Sequence, residues 1–473
     1  MNVSLIIIIC YISMLFIISF IAKKRAQGGG ESYTLASRQL TTPLVTCSLI
    51  GLAIGGASTI GVAEQAYDVG LSAGWYCTAW GIAAIVMGLA AASKYREFNV
   101  ATVPELFGKF YDEKGVTVCV VCQIIILIVI VSLQYIAGGA ILSSLLPGIF
   151  TIKTGMIVSA CVFVGITFIG GMWSAGLCNS FNVPLKYTGI ILCTILAVSK
   201  SGGIQNIKLH LPQNVPYFSP VKGVGTWVIL GWILVMTTQV LSMQGPVQLA
   251  FAAKDAKTAK KSFILGGLLM IPIGFLCALI GMAAKITFPH VSATMALPKM
   301  ILSLNPVAAG ITLAALWAAD VSTACNLLLG ASTLFTNDIY KKYINPKVND
   351  KRILIMTKSS VVLLGIFTFI LALFMSGILK TISMGLSLST AFTLIFLFTM
   401  FAPKLCKKSS AFYTTLAGII VLFLWQLIPS FRIFPHVIFM EWLVCLVTFM
   451  LTSILDKRSI MNIDTIDEIN EMV

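Results

Sequence analysis

Thirteen apolar stretches, most of them about 20 residues or longer and separated by short polar loops, leave this 473-residue chain few ways to fold. A bilayer core about 30 Å thick takes about 20 apolar residues per helix. The runs are 3–22, 42–68, 72–94, 117–146, 151–171, 174–199, 225–252, 260–287, 305–336, 353–376, 381–402, 410–428 and 434–454. Hydrophobic residues make up 58% of the chain and charged residues 10%, which is not the balance of a soluble globular protein. The expected class is an all-α polytopic membrane protein with thirteen transmembrane helices.

Lys23, Lys24 and Arg25 follow the first run, and neither basic residues before it nor a small-residue cleavage site after it mark a signal peptide. It reads as a retained helix. With thirteen helices the termini lie on opposite sides, and 22 of the 32 Lys and Arg fall on loops of one side. The positive-inside rule makes that side cytoplasmic, with the amino terminus outside and the carboxyl terminus inside a plasma membrane. Loop charge therefore accounts for the net +15 without a nucleic-acid partner. The partners expected are the lipid bilayer and a small solute. Twelve cysteines lie mostly within apolar runs, and the single CxxC, Cys119 and Cys122, has no second pair and only three histidines in the whole chain, so packing explains them. No nucleotide-binding motif appears, so the expected work draws on gradients and is not enzymatic.

Two runs are interrupted. The second, "LVTCSLIGLAIGGASTIGVAEQAYDVG", crowds Gly51, Gly55, Gly56, Ser58, Thr59 and Gly61 into its middle; the seventh carries Thr237, Thr238, Gln239, Ser242, Gln244, Gly245 and Pro246. Non-helical backbone at membrane depth is tolerated where it is buried or lines a cavity. Gly51 and Gly55 also fit a close-packing face. Two interruptions five helices apart are the mark of an inverted repeat. This divides the chain into a leading helix and loop (1–41), a first repeat (42–199), an extracellular loop (200–224), a second repeat (225–402), two trailing helices (403–458) and an acidic cytoplasmic tail (459–473).

In the ninth run, "ALWAADVSTACN", Ala319, Ser322 and Thr323 share one helical face. Two hydroxyls and a freed carbonyl form a hard-oxygen set suited to sodium, although the same hydroxyls can bond back to their own helix. The stretches "ESYTLASRQL", "IGLAIGGASTIGVAEQAYDVGLSAGWY", "ATVPELFGKFY", "GPVQLAFAAKDAKTAKK" and "AADVSTACNLLLGASTLFTNDIYKK" occur in order over residues 31–342. In them the chain resembles the sodium:solute symporter family, which contains bacterial sodium/proline, sodium/sialic acid and sodium/galactose symporters. The resemblance implies a LeuT-type five-plus-five inverted repeat working by alternating access. It also implies a Na+ site of the Gly51, Ile54 and Ala319 carbonyls with the Ser322 and Thr323 hydroxyls.

The chain departs from that family in its sixth run. Where members often carry a Thr-Asp pair near the path to the sodium site, this chain has Cys178, Asn179 and Ser180, and Lys186 follows two turns beyond Asn179 on the same face. Intramembrane charges are costly and usually find partners. Asp320, beside the proposed cation site, is the candidate partner, and a coupling role for Lys186 and Asp320 follows. The alternatives are a lysine that reaches an interface and an aspartate satisfied by local backbone. A lysine ammonium can itself stand where sodium would, which implies a proton-coupled or sodium-independent carrier.

The solute site is expected between the interrupted helices, from Gly55, Gly56, Ser58, Thr59, Thr238, Gln239 and Gln244, with Gln134 and Tyr135 from the fourth helix. These neutral groups suit a small polar solute. The expected function is cation-coupled symport, sodium first and a proton second. A membrane solute sensor of the same fold is the alternative from another class, and a channel-like uniporter is disfavoured by the interruptions.

Overall fold

The structure is a computed structural model that describes residues 3–374 and 387–460. The acidic tail beyond residue 460 and the start of the expected run 381–402 lie outside the described residues.

The principal helices are α1 (Val3–Ala26), α2 (Thr42–Ala53), α3 (Val62–Val69), α4 (Trp75–Ala90), α5 (Glu113–Leu145), α6 (Ile152–Lys200), α7 (Thr226–Ser242), α8 (Gln244–Ala252), α9 (Ala256–Thr287), α10 (Pro306–Leu334), α11 (Asp350–Phe374), α12 (Ser389–Phe401), α13 (Ser410–Leu427) and α14 (Val437–Leu455). Among the described residues nine helices are long and apolar enough to cross a membrane, or ten if the bent pair α7 and α8 counts as one span. This differs from thirteen because several expected runs are interrupted, merged or short. Ser389–Phe401, for example, has 13 residues.

The merged case is α6. A straight helix of its 49 residues would run about 74 Å, more than twice the bilayer core. Gly171 breaks it at φ 51°, ψ −130°, a backbone conformation closed to residues with a Cβ. A Cβ there would also meet the Tyr33 ring at 2.9 Å. Gly171→Ala is expected to destabilise the fold by about 1–3 kcal/mol. Gly108→Ala, where the nearest atom to a new Cβ is Val116 Cγ2 at 3.9 Å, is expected to be neutral or better. Thermal unfolding of the two variants in detergent checks the difference.

Both expected interruptions are present. α2 ends at Ile54, and a π-helical turn, Ala57–Gly61, leads into α3. α7 and α8 meet at Met243 with a bend of 48°. The start of α2 is fixed by an unusual turn in which Ala36, Ser37 and Arg38 all have left-handed backbone, φ 51°, 50° and 53°. The Arg38 guanidinium holds it, bonding Glu31 Oε1 at 2.7 Å, Val100 O at 3.1 Å and Phe251 O at 3.3 Å.

α4 and α9 are packed nearly backbone to backbone. Gly74, which caps α4, and Gly81 within it face Gly274 and Gly267 of α9, each set at a spacing of seven. Small residues are what allow membrane helices to approach this closely.

Candidate cation and solute site

The chain leaves helical geometry at Ile54, φ −97°, ψ 80°, so the last carbonyls of α2 lack their usual i+4 amides. α10 faces them. Ser322 Oγ lies 2.9 Å from Gly51 O and 2.9 Å from Ala319 O. Thr323 Oγ1 lies 3.1 Å from each of the same two carbonyls. The oxygens expected to hold a cation therefore converge where the interrupted helix meets α10.

Lys186 fills the middle of that cluster. Its Nζ donates to Ser322 Oγ at 2.5 Å, Ile54 O at 3.0 Å and Gly51 O at 3.3 Å, and the side chain is fully buried. An ammonium has three donors, and all three are used. The lysine does not reach an interface. Asn179, two turns earlier on α6, places its amide against the Gly51 backbone, where a new Cβ would lie 2.8 Å from its Cγ.

Asp320 is also fully buried, and its Oδ1 accepts from Gly56 N at 3.0 Å. Gly56 is the residue that opens the helical segment beyond the break. A helix carries partial negative charge at its carboxyl end and partial positive charge at its amino end. The break thus offers carbonyls to Lys186 on one stub and an amide to Asp320 on the other. The two side chains form no direct ion pair. Lys186 is instead met by Ser322 Oγ and the carbonyls of one stub, and Asp320 Oδ1 by the amide of the other, while Asp320 Oδ2 has no hydrogen-bond partner among the described residues.

A cavity beside the break is lined by Gly55, Gly56, Ser58, Gln134 and Gln239, as expected, and by Thr323. Tyr76 and Trp80, which the sequence reading did not select, form its aromatic wall. Their spacing of four on α4, which puts both rings on one helical face, is the signal by which they could have been found. Four expected residues point elsewhere. Thr59 Oγ1 bonds back to Gly55 O at 3.1 Å. Tyr135 stacks on Phe163, ring centres 5.6 Å apart, because neighbours on a helix point about 100° apart and Gln134 takes the cavity side. The Thr238 hydroxyl accepts from Trp442 Nε1 of α14 at 3.2 Å. Gln244 is held by Val103 N at 2.9 Å and Ala101 O at 3.1 Å.

Two further cavities are found among the described residues. One, lined by Glu64, Gln65, Asp68 and Trp232, shares Tyr76 and Ala57 with the solute cavity. The other, around Glu31, Arg38, Asp338 and Lys341, shares no lining residue with it. The Glu64 cavity thus lies on the other side of Tyr76 and Ala57 from the cavity beside the break.

Comparison with known proteins agrees with this architecture. A profile described as the sodium:solute symporter family matches residues 33–418. The chain is 26% identical to a sodium/glucose cotransporter of Vibrio parahaemolyticus over 400 residues, 75% of this chain and 71% of that one. It is 24% identical to the osmoregulated proline transporter OpuE of Bacillus subtilis over 388 residues, 77% of this chain and 76% of that one. The solved structure of a Na+-coupled sialic acid symporter in a substrate-bound outward-open state superposes with a TM-score of 0.85 at 17% identity, covering 97% of this chain and 98% of that one.

Proposed function

The chain belongs to the sodium:solute symporter family, and from that premise we propose that it carries a small polar organic solute with the ammonium of Lys186, not a free sodium ion, seated in its cation site. Membership brings the LeuT-type fold, transport by alternating access and a place among membrane transporters, not enzymes. Sodium coupling is the family's habit and the starting expectation here. The oxygens of Gly51, Ile54, Ala319, Ser322 and Thr323 suit that ion.

The observation that carries the proposal is the position of Lys186 Nζ, within 3.3 Å of Gly51 O, Ile54 O and Ser322 Oγ. A sodium ion and an ammonium cannot share that space. In a sodium carrier the ion bridges two moving parts and favours one arrangement through its differential affinity. Here a tethered cation makes the same bridge between α6, α2 and α10. Uptake then does not require sodium, and a proton remains as the coupling ion to consider. The distribution of Lys and Arg supports an outside amino terminus in the plasma membrane, with the Glu64 cavity facing outward.

Uptake into proteoliposomes with sodium replaced by choline, at matched membrane potential, tests the reading. The expected result is full retention of activity. Loss of uptake in choline would restore sodium as the coupling ion and leave Lys186 a structural group.

A further inference from the structure

The broken second helix also restricts what the carrier can hold. In transporters of this architecture the amide end of a discontinuous helix faces anionic groups of the substrate. In this chain that end is already taken, because Gly56 N donates to Asp320 Oδ1 at 3.0 Å. The aspartate sits where a solute carboxylate would otherwise dock.

The rest of the cavity is neutral. Its polar lining comes from Ser58, Tyr76, Gln134, Gln239 and Thr323, with Trp80 as the second aromatic wall and no charged side chain. Ser58 and Thr323 direct their hydroxyls to backbone carbonyls of the break, Ala53 O at 2.8 Å and Gly51 O at 3.1 Å. Gln134 Oε1 and Gln239 Oε1, on buried side chains, have no partner among the described residues. Buried polar atoms are normally bonded, so two amide oxygens on α5 and α7 call for donors from a ligand. Turning either amide over exchanges an acceptor for a donor and adds no charge.

A solute cation would find no counterion in the lining, which holds no charged side chain; Asp320, with Oδ1 on Gly56 N and Oδ2 without a partner among the described residues, is not one of the lining residues. Bringing an unpaired charge to the membrane midplane is costly. In the flanking cavity Glu64 faces an approaching anion, Asp68 being paired with Lys285 Nζ at 3.6 Å. Resting on the carrier reading above, we propose that the solute is a small uncharged ring compound with at least two N–H or O–H donors, packed on Tyr76 and Trp80 and lacking a carboxylate.

Counterflow in proteoliposomes tests this with labelled glucose, myo-inositol and uracil as uncharged probes, proline and N-acetylneuraminic acid as carboxylates, and choline as a cation. An uncharged probe is expected to exchange and the three charged ones are not. Exchange of a charged probe as fast as the best uncharged one would overturn the assignment while leaving the carrier reading intact. If no probe exchanged, the carrier reading would fall and this assignment with it. A second arm does not depend on transport. Asp320→Ala frees Gly56 N, so acetate is expected to raise the thermal midpoint of the variant and leave the wild type unmoved. An equal response in both proteins, or none in either, counts against the proposal.

Discussion

Replacing Lys186 with alanine is expected to make the protein's stability and uptake respond to sodium more than they do in the wild type. The ammonium supplies three hydrogen bonds at a fully buried position. Without it Ile54 O loses its donor, at about 1–3 kcal/mol for a group left unmet, while Gly51 O keeps the Ser322 and Thr323 hydroxyls. Uptake in the absence of sodium should fall at least about tenfold, since 1.4 kcal/mol at a barrier already gives that factor. The space vacated is bordered by the same oxygens that suit sodium. The ion should therefore stabilise the variant by mass action, about 2.7 kcal/mol at a hundredfold excess over its dissociation constant, and recover part of the uptake. Thermal unfolding of both proteins in sodium and in choline reads this directly. A wild type stabilised by sodium beside an indifferent variant would reverse the interpretation of the site.

The second large effect belongs to the contact between α4 and α9. A Cβ on Gly81 would lie 2.6 Å from Gly267 O and 2.8 Å from Ile271 Cγ1, and one on Gly267 would lie 2.5 Å from Gly81 O. The obstructing atoms include backbone oxygens, which cannot rotate aside as a flexible side chain does. Gly81→Val must separate the two helices along their length. Overpacking a core with yielding neighbours costs about 1–3 kcal/mol, and this substitution should exceed that range. The expected outcome is loss of monodisperse protein on size exclusion in detergent, with the helix content of any remainder reduced. A normal yield with an unchanged thermal midpoint would show that the two helices have slack.

Much of this arrangement was legible in the order of residues. Glycine crowding around Gly55 marks a break, because glycine weakens a helix by about 1 kcal/mol per residue relative to alanine and several stand together here. Ser322 and Thr323 announced an oxygen cluster through their shared helical face. The fate of Asp320 was harder to read. Sequence offers a lysine as the obvious partner for a buried carboxylate, whereas the bond it makes is to the amide of Gly56, a group with no residue letter of its own. Gln244 misled for a related reason. Its polarity and its place beside a break suggested a ligand, but its partners at Ala101 and Val103 are about 140 positions away and become neighbours only on folding. Gln134 and Tyr135 were selected together, and helical geometry allows only one of two adjacent residues to face a cavity.

The interrupted helix has one more consequence, which concerns voltage. Lys186 and Asp320 both belong to the protein and attach to opposite stubs of a single break. In the carrier proposed above the cation is tethered and returns with the protein in every cycle, so it moves no net charge across the membrane. Electrical work of about 2.3 kcal/mol per charge per 100 mV, available to a carrier that releases a free cation inside, is then not drawn on by this group.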